Sequence, residues 1–522
     1  MRLTSPAAGN RSIAGNPLDY GAVYDGVTDC SKAINDCIAK HDRVVFSGGE
    51  GIALCQSPVI VRSNTWLDLD WNFTIKLADN VDCELIKNRW AEQAYFTEKN
   101  GVPGFINEVY PNFDRADWVL GEADTNIKIT GGILDGNGAN QTRHHTRYGC
   151  YGYRGVLLVL VHVKGLVIKD IFMYDPNSYN AEFCKIDNFE VRNMRLDYRQ
   201  ERGNIDGIHF NGECRNGIVE NIWGRTNDDM VALNGGDCFN PKNSGLPITP
   251  ELDKVWYPFC QGRIENISIK NIFATDGFRA VRLLANSLSE ASVPGETEGM
   301  NGITIDGIYG TYRWDILIVS GWIGVPKVYD NIVIKNINAA VTKEIKGTKG
   351  YIWTENVIIK NITIENFTPA DNGIAGRAIN IGGTVEKMTL VNCNFTADFK
   401  KNNMLTALPF IEAGAGNAVK QLVVDNCNFI SDINTALKGN IEKLVLIKST
   451  LDCPTVLDCD LVDVSEDMCV ISGRNSAANV FKRARTKNLI VTSVPTSPIP
   501  GDAIQREDGS YVFNGVEFLR VT

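Results

Sequence analysis

Val167-Ile168-Lys169-Asp170-Ile171 decides the fold, because the chain keeps returning to this phrase of an apolar pair, a charge, Asn or Asp, and another apolar residue. Further copies are Val191-Arg192-Asn193-Met194, Val219-Glu220-Asn221-Ile222 and Ile269-Lys270-Asn271-Ile272. Others are Ile334-Lys335-Asn336-Ile337, Ile359-Lys360-Asn361-Ile362, Leu390-Val391-Asn392-Cys393 and Val424-Asp425-Asn426-Cys427. Most neighbouring copies lie between about 23 and 36 residues apart, the period of stacked units that cannot bury an apolar face alone. Each copy is rich in Ile and Val, alternates with period two and is bounded by Gly and Asn, as strands are. The reading is an all-β parallel solenoid, right-handed because crossovers between parallel strands take that hand. Inward Ile, Val, Leu, Phe and Cys are expected to fill its core, with the repeated Asn and Asp at its turns. Such a body presents one long flat β-face, which suits a long polymer.

Bulk properties narrow the function. A chain of 522 residues with 44% hydrophobic and 22% charged residues has ordinary globular composition rather than that of a disordered chain. The net charge of −10 and the lack of a basic run argue against nucleic acid. Without a stretch of 18 apolar residues, no membrane span is expected. The opening Met1-Arg2-Leu3-Thr4-Ser5-Pro6 lacks the apolar core of a secretory signal. An extracellular or virion protein reached by another route, or one whose signal was removed, is therefore expected. The 14 cysteines form no CxxC pair, and Cys393 and Cys427 sit at matching places in two repeats. They read as reduced thiols packing as small hydrophobes.

Residues 1–16 read as a flexible lead-in. Residues 17–470 read as one parallel β-helix domain, opened by an amphipathic helix from about Ser31 to Lys40 whose Ala33, Ile34, Cys37 and Ile38 share a face. Asp29 or Ser31 would cap this helix, and the helix would cover the open end of the solenoid. The strands that follow are read at Val44–Phe46, Thr65–Asp70 and Phe73–Leu77. Residues 88–124, 237–263 and 286–300 read as excursions. Residues 471–522 read as an appendage in which Asn514-Gly515 joins two alternating runs into a hairpin.

The densest polar cluster is Asn204-Ile205-Asp206-Gly207-Ile208-His209-Phe210-Asn211, followed by Thr226-Asn227-Asp228-Asp229. Asp206 and Asp228 are about one coil apart, so Asp206, Asp228 and Asp229 should gather at the inter-strand spacing of ~4.8 Å. Clustered carboxylates raise one another's proton affinity and yield one acid and one base, as glycosidic cleavage requires. Singly, Asp-Asp is more often a turn or a calcium ligand, Asp-Gly a turn, and His209 a packed histidine. Arg279 and Arg282 follow on the next coil, and at least one is expected to point outward near the acids. His144-His145 have no acid at ligand spacing, so zinc is not expected, and no metal or cofactor is assigned.

At this point the sequence resembles a family. Asp19-Tyr20-Gly21-Ala22-Val23 with Asp25-Gly26-Val27-Thr28-Asp29 resembles the opening of pectin-lyase-like right-handed β-helix proteins, and Gly131-Gly132-Ile133-Leu134-Asp135-Gly136-Asn137-Gly138 is similar to their first full coil. Asn204-Ile205-Asp206-Gly207 and Asn227-Asp228-Asp229 resemble the acidic motifs of polygalacturonases, glycoside hydrolase family 28. The resemblance implies that Asp228 is the acid and that Asp206 and Asp229 bind and activate water. Gly277-Phe278-Arg279-Ala280-Val281 sits where the family has a Gly-x-Arg-x-Lys strand, with Val281 in place of the lysine, and no Gly-His-Gly follows the acid pair. The acidic machinery is thus implied and the sugar left open. The architecture is also similar to that of phage tailspike depolymerases, which are usually homotrimeric.

The expected function is an inverting polysaccharide hydrolase, with Asp206, Asp228 and Asp229 catalytic and Arg279, Arg282, His209 and Asn204 contacting substrate. Two other classes stay open. A polysaccharide lyase would use Arg279 or Arg282 as proton abstractor, and a carbohydrate-binding virion protein would keep the groove without activity.

Overall fold

The computed structural model describes residues 14–81, 83–93, 98–99, 102–103, 122–142, 155–236, 262–285, 299–321, 326–342, 350–370, 377–397, 408–432, 434–459, 461–472, 485–486, 503–506, 509–513 and 518–521. They fall into two compact units. The first comprises Met1–Ala232 and Asp237–Gly262, and the second Leu233–Gly236 and Arg263–Thr522. The fold of the chain is a right-handed parallel β-helix.

Alternation in the sequence becomes alternation of burial. In the first unit Ile129, Ile168, Val191 and Val219 stack in register through successive parallel pairings. In the second, Ile269, Ile305, Ile334, Ile364, Leu390, Val424 and Leu446 do the same. All of these side chains are buried. Burying each contributes about 1.5–3 kcal/mol, and a one-residue slip would turn the whole column outward. Cys393 and Cys427 are buried members of the core.

Asparagine turns the corners. Asn193, Asn221, Asn271, Asn336, Asn366, Asn392 and Asn426 all hold left-handed backbone, with φ between 52° and 58°. Asn tolerates this conformation better than other non-glycine residues. Their carboxamides bond to one another along the stack. In the first unit Asn193 donates to Asp170 at 2.7 Å and Asn221 to Asn193 at 2.8 Å. In the second, Asn336 donates to Asp306, Asn366 to Asn336, Asn392 to Asn366 and Asn426 to Asn392, at 2.6–3.3 Å. Several coils carry a second left-handed Asn five residues earlier, such as Asn188, Asn216, Asn266 and Asn331. One copy of the phrase is out of phase for this reason. Asn361 belongs with Asn331, because Ile362 pairs with Ile332, and Asn366 takes the place expected of Asn361.

The helix Ser31–Lys40 forms as the pattern predicts and buries Ala33, Ile34, Cys37 and Ile38. Asp29 Oδ1 accepts from the Ser31 N–H at 3.0 Å, the Ser31 hydroxyl at 2.6 Å and the Gln56 N–H at 3.1 Å. Strands follow at Arg43–Phe46, Trp66–Leu69 and Thr74–Leu77. Near the C-terminus Gly509–Phe513 pairs antiparallel with Phe518–Val521. That is the expected hairpin, with Asn514-Gly515 outside the described residues. Most of the three expected excursions, and His144-His145, also lie outside them. Among the described residues no helix is long and apolar enough to cross a membrane.

Candidate active site

Three successive turns of the first unit build the polar cluster. Asn180 precedes the strand Ala181–Asp197, Asp206 precedes Ile208–Asn211, and Asp228 immediately precedes Asp229 at the head of Asp229–Gly236. Main-chain bonds tie the turns together. Asn180 donates its N–H to the Asp206 carbonyl at 2.9 Å, and Gly207 donates to the Asp229 carbonyl at 2.8 Å. Asn227 and Asp228 both donate to the Ile205 carbonyl, at 3.1 and 3.2 Å. The two acidic motifs therefore occupy adjacent levels of one stack. Gly207 has a packing reason as well, since a Cβ there would meet the Met230 carbonyl oxygen at 2.2 Å and Leu196 Cδ1 at 2.6 Å.

Burial separates the three aspartates. Asp206 and Asp229 are 3% and 0% exposed, whereas Asp228 is only half-buried. The Thr226 hydroxyl donates to the Asp228 carbonyl at 2.6 Å and pins the turn from within.

His209 is also buried, at 2% exposure. Its Nδ1 stands 2.8 Å from Asp206 Oδ2 and its Nε2 3.2 Å from Asn211 Oδ1. Asn211 in turn donates to Glu182 Oε1. Tyr179 stacks on the imidazole with ring centroids 4.5 Å apart and planes 7° from parallel. His209, expected to contact substrate, is buried with its Nδ1 on the Asp206 carboxyl. Glu182 faces His209 directly in the parallel register. Asn204, half-buried with φ 57°, forms the corner before Asp206. On the other side Arg202 bonds to Asn177 and accepts from Asn227 through its carbonyl at 2.6 Å.

Tyr179, Glu182 and Arg202 escape the sequence reading. The signal for Glu182 was its distance of one coil from His209, which only the register makes usable.

Arg279 and Arg282 belong to the second unit. Arg279 is buried and grips Asp315 with two bonds, Nε to Oδ2 at 2.7 Å and the terminal nitrogen to Oδ1 at 2.9 Å. Its guanidinium satisfies a buried carboxylate there instead of pointing outward. Arg282 is half-buried and lies beside Ile318. Phe278 and Trp314, next to the buried pair, stack with centroids 5.8 Å apart and planes 8° from parallel. Among the described residues no cluster of three His, Cys, Asp or Glu could hold a metal ion.

Residues 107–243 match the model of Glycosyl hydrolases family 28. That segment contains both acidic motifs. Among solved structures, the chain is similar to a Yersinia enterocolitica family 28 exopolygalacturonase, with 14% identity, a TM-score of 0.50 and coverage of 90% of this chain and 80% of the other. It is similar to the pre-mature gene product 12 of bacteriophage phi29, with 13% identity, a TM-score of 0.55 and coverage of 91% and 58%. It is also similar to a mutant tailspike protein of E. coli bacteriophage HK620 in complex with a hexasaccharide, with 10% identity, a TM-score of 0.53 and coverage of 87% and 76%. At these identities the structures establish the fold alone, a parallel β-helix. No curated protein sequence matches. The family match supports a polysaccharide-degrading glycoside hydrolase.

Proposed function

We propose that the protein is an inverting polysaccharide hydrolase whose acid is Asp228 and whose water is held and deprotonated by Asp206 and Asp229. The observation that carries this reading is the Gly207 N–H to Asp229 carbonyl bond, which sets the two acidic motifs one level apart. Asp228, the most exposed of the three, gives its proton to the glycosidic oxygen as the bond to the anomeric carbon breaks. Water attacks that carbon from the opposite face, and its proton passes to Asp206 or Asp229. Inversion needs the acid and the base about 6.5–9.5 Å apart, with the water between them. His209 is a positioning residue, holding Asp206 with one nitrogen while Asn211 and Tyr179 hold the ring.

The substrate is a polysaccharide of a cell surface or matrix, and the protein works as an extracellular or virion homotrimer of the tailspike kind. The similarity to a tailspike in complex with a hexasaccharide supports this setting. The test is a screen of the purified protein against pectins, capsules and O-antigens. Reducing ends released without ultraviolet absorption, and with inverted anomeric configuration in the first product, support the reading. An unsaturated product absorbing in the ultraviolet would replace it with a lyase.

A further inference from the structure

Arg202 stands in the row of turns that carries the acids, and among the described residues no carboxylate is paired with it. Its guanidinium bonds instead to two neutral amides, through one terminal nitrogen to Asn177 Oδ1 and through the other to Gln200 Oε1 at 2.9 Å. We propose that Arg202 is a specificity residue that receives the carboxylate of an acidic sugar unit bound beside the acidic turns. The inference rests on the polysaccharide reading above and assigns a charge to its substrate.

The stack places it there. Asn177, Arg202 and Asn227 lie in three successive turns, ahead of the strands Ala181–Asp197, Ile208–Asn211 and Asp229–Gly236. The Arg202 carbonyl accepts from the Asn227 carboxamide at 2.6 Å, and Asn227 immediately precedes Asp228. Arg202 is thus one hydrogen bond and one residue from the proposed acid. Asn177 is buried, and its amide nitrogen is committed to the Thr142 carbonyl at 3.3 Å, which leaves its oxygen for the guanidinium. The arginine is half-buried and already oriented, so a ligand has little rotamer freedom left to remove. The two amides use two of its five N–H donors. The others suit a planar carboxylate, whose geometry the guanidinium fork matches.

Other arginines show how this chain uses the residue for structure. In the same row of turns Arg199 bonds to Asp175 through Nε at 2.7 Å, and Arg225 bonds to Asp197. Arg279 of the second unit is taken up by Asp315. Arg202 is held by amides that leave its charge uncancelled, in the turns that carry Asp206, Asp228 and Asp229. Three carboxylates repel an anionic polymer, and a fixed cation at their edge offsets that repulsion for a sugar that carries a carboxylate. A neutral sugar gains nothing from it. An Arg202 that only bridged Asn177 and Gln200 would register in melting and leave selectivity untouched.

The experiment uses the full chain bearing Asp228→Asn, so that no probe is consumed. It is titrated calorimetrically with polygalacturonate, alginate, hyaluronate and polysialate, each beside its carboxyl-reduced form. At least one acidic polymer should bind, and at least tenfold more tightly than its reduced form. Arg202→Gln should abolish that preference, weakening the acidic polymer at least tenfold without changing affinity for the reduced one. Arg202→Lys, which keeps the charge without the fork, should fall between. If Arg202→Gln does not fold, Arg202→Lys at an unchanged melting temperature carries the test. The absence of binding to every acidic polymer, a reduced form bound as tightly as its parent, or a preference that survives substitution of Arg202 would each overturn the proposal. Arg202-dependent, charge-selective binding by a wild-type protein that hydrolyses nothing would leave Arg202 standing and sink the hydrolase reading instead.

Discussion

Gly207 donates its backbone N–H to the carbonyl of Asp229 at 2.8 Å, and the space above its Cα is filled by the Met230 carbonyl. The junction tolerates no side chain. Gly207→Ala should therefore push the two acidic turns apart, lowering stability by about 1–3 kcal/mol, as overpacking does. Turnover should fall with it even where the protein stays folded. A melting curve and an initial rate on the same preparation check this, and wild-type values for both would refute the packing argument.

The three aspartates should separate in a paired measurement of melting temperature and rate. Asp228→Asn changes a half-buried group and should lose about 10²–10⁴-fold in rate with little change in melting. Asp206→Asn and Asp229→Asn alter buried groups, so both rate and melting temperature should fall.

Asn336 donates to Asp306 and accepts from Asn366 while holding φ 58°. Asn336→Gly keeps the backbone freedom and loses two bonds, about 0.5–1.5 kcal/mol each. Asn336→Ala adds a left-handed penalty of about 1–2 kcal/mol. Chemical denaturation should rank them wild type, Gly, Ala. Equal stability for the two variants would show that the backbone conformation carries no weight there.

Asp29 supplies a pH signature. Partial burial opposes its charge, but the Ser31 hydroxyl, the Ser31 N–H and the Gln56 N–H outweigh this and hold its carboxyl below the usual range. A lowered folded value gives stability that is present above the unfolded pKa of about 3.9 and lost as pH falls through the folded one. The melting difference between wild type and Asp29→Asn should be full near neutrality and shrink below about pH 4. The helix N-cap is Cys30, with no side-chain cap bond, rather than the expected Asp29 or Ser31. A gap that persists undiminished in acid would therefore assign the contribution of Asp29 to shape alone.

Arg279 and Asp315 form a buried two-bond pair. Removing one partner strands the other, so Asp315→Ala should cost about 3–5 kcal/mol. Arg279→Lys should also destabilise, since an ammonium cannot reproduce the fork. If Arg279 instead serves only substrate, its variants will raise KM at an unchanged melting temperature.

The solenoid was legible because its repeat is written in residues with opposite needs, Ile and Val for burial and Asn for a corner that few residues can turn. What blurred the phase was a second Asn position five residues before the first, which let Asn361, in register with Asn331 but without its left-handed backbone, pass for Asn366. The acidic cluster was legible for the same reason, since one coil of separation converts directly to adjacency. Its burial was not, because the Tyr179 ring and the Asn211–Glu182 link reach Asp206 only through His209. The partner of Arg279 was also out of view, since Asp315 lies in a turn with no motif of its own.

The asparagine ladders leave one last consequence, for how such a chain changes over evolutionary time. The rungs bond to the rungs on either side of them. Duplicating or deleting a whole coil therefore reproduces or removes one rung and leaves the others intact. Gene-level copying would lengthen or shorten the stacked β-face without redesigning the acidic turns.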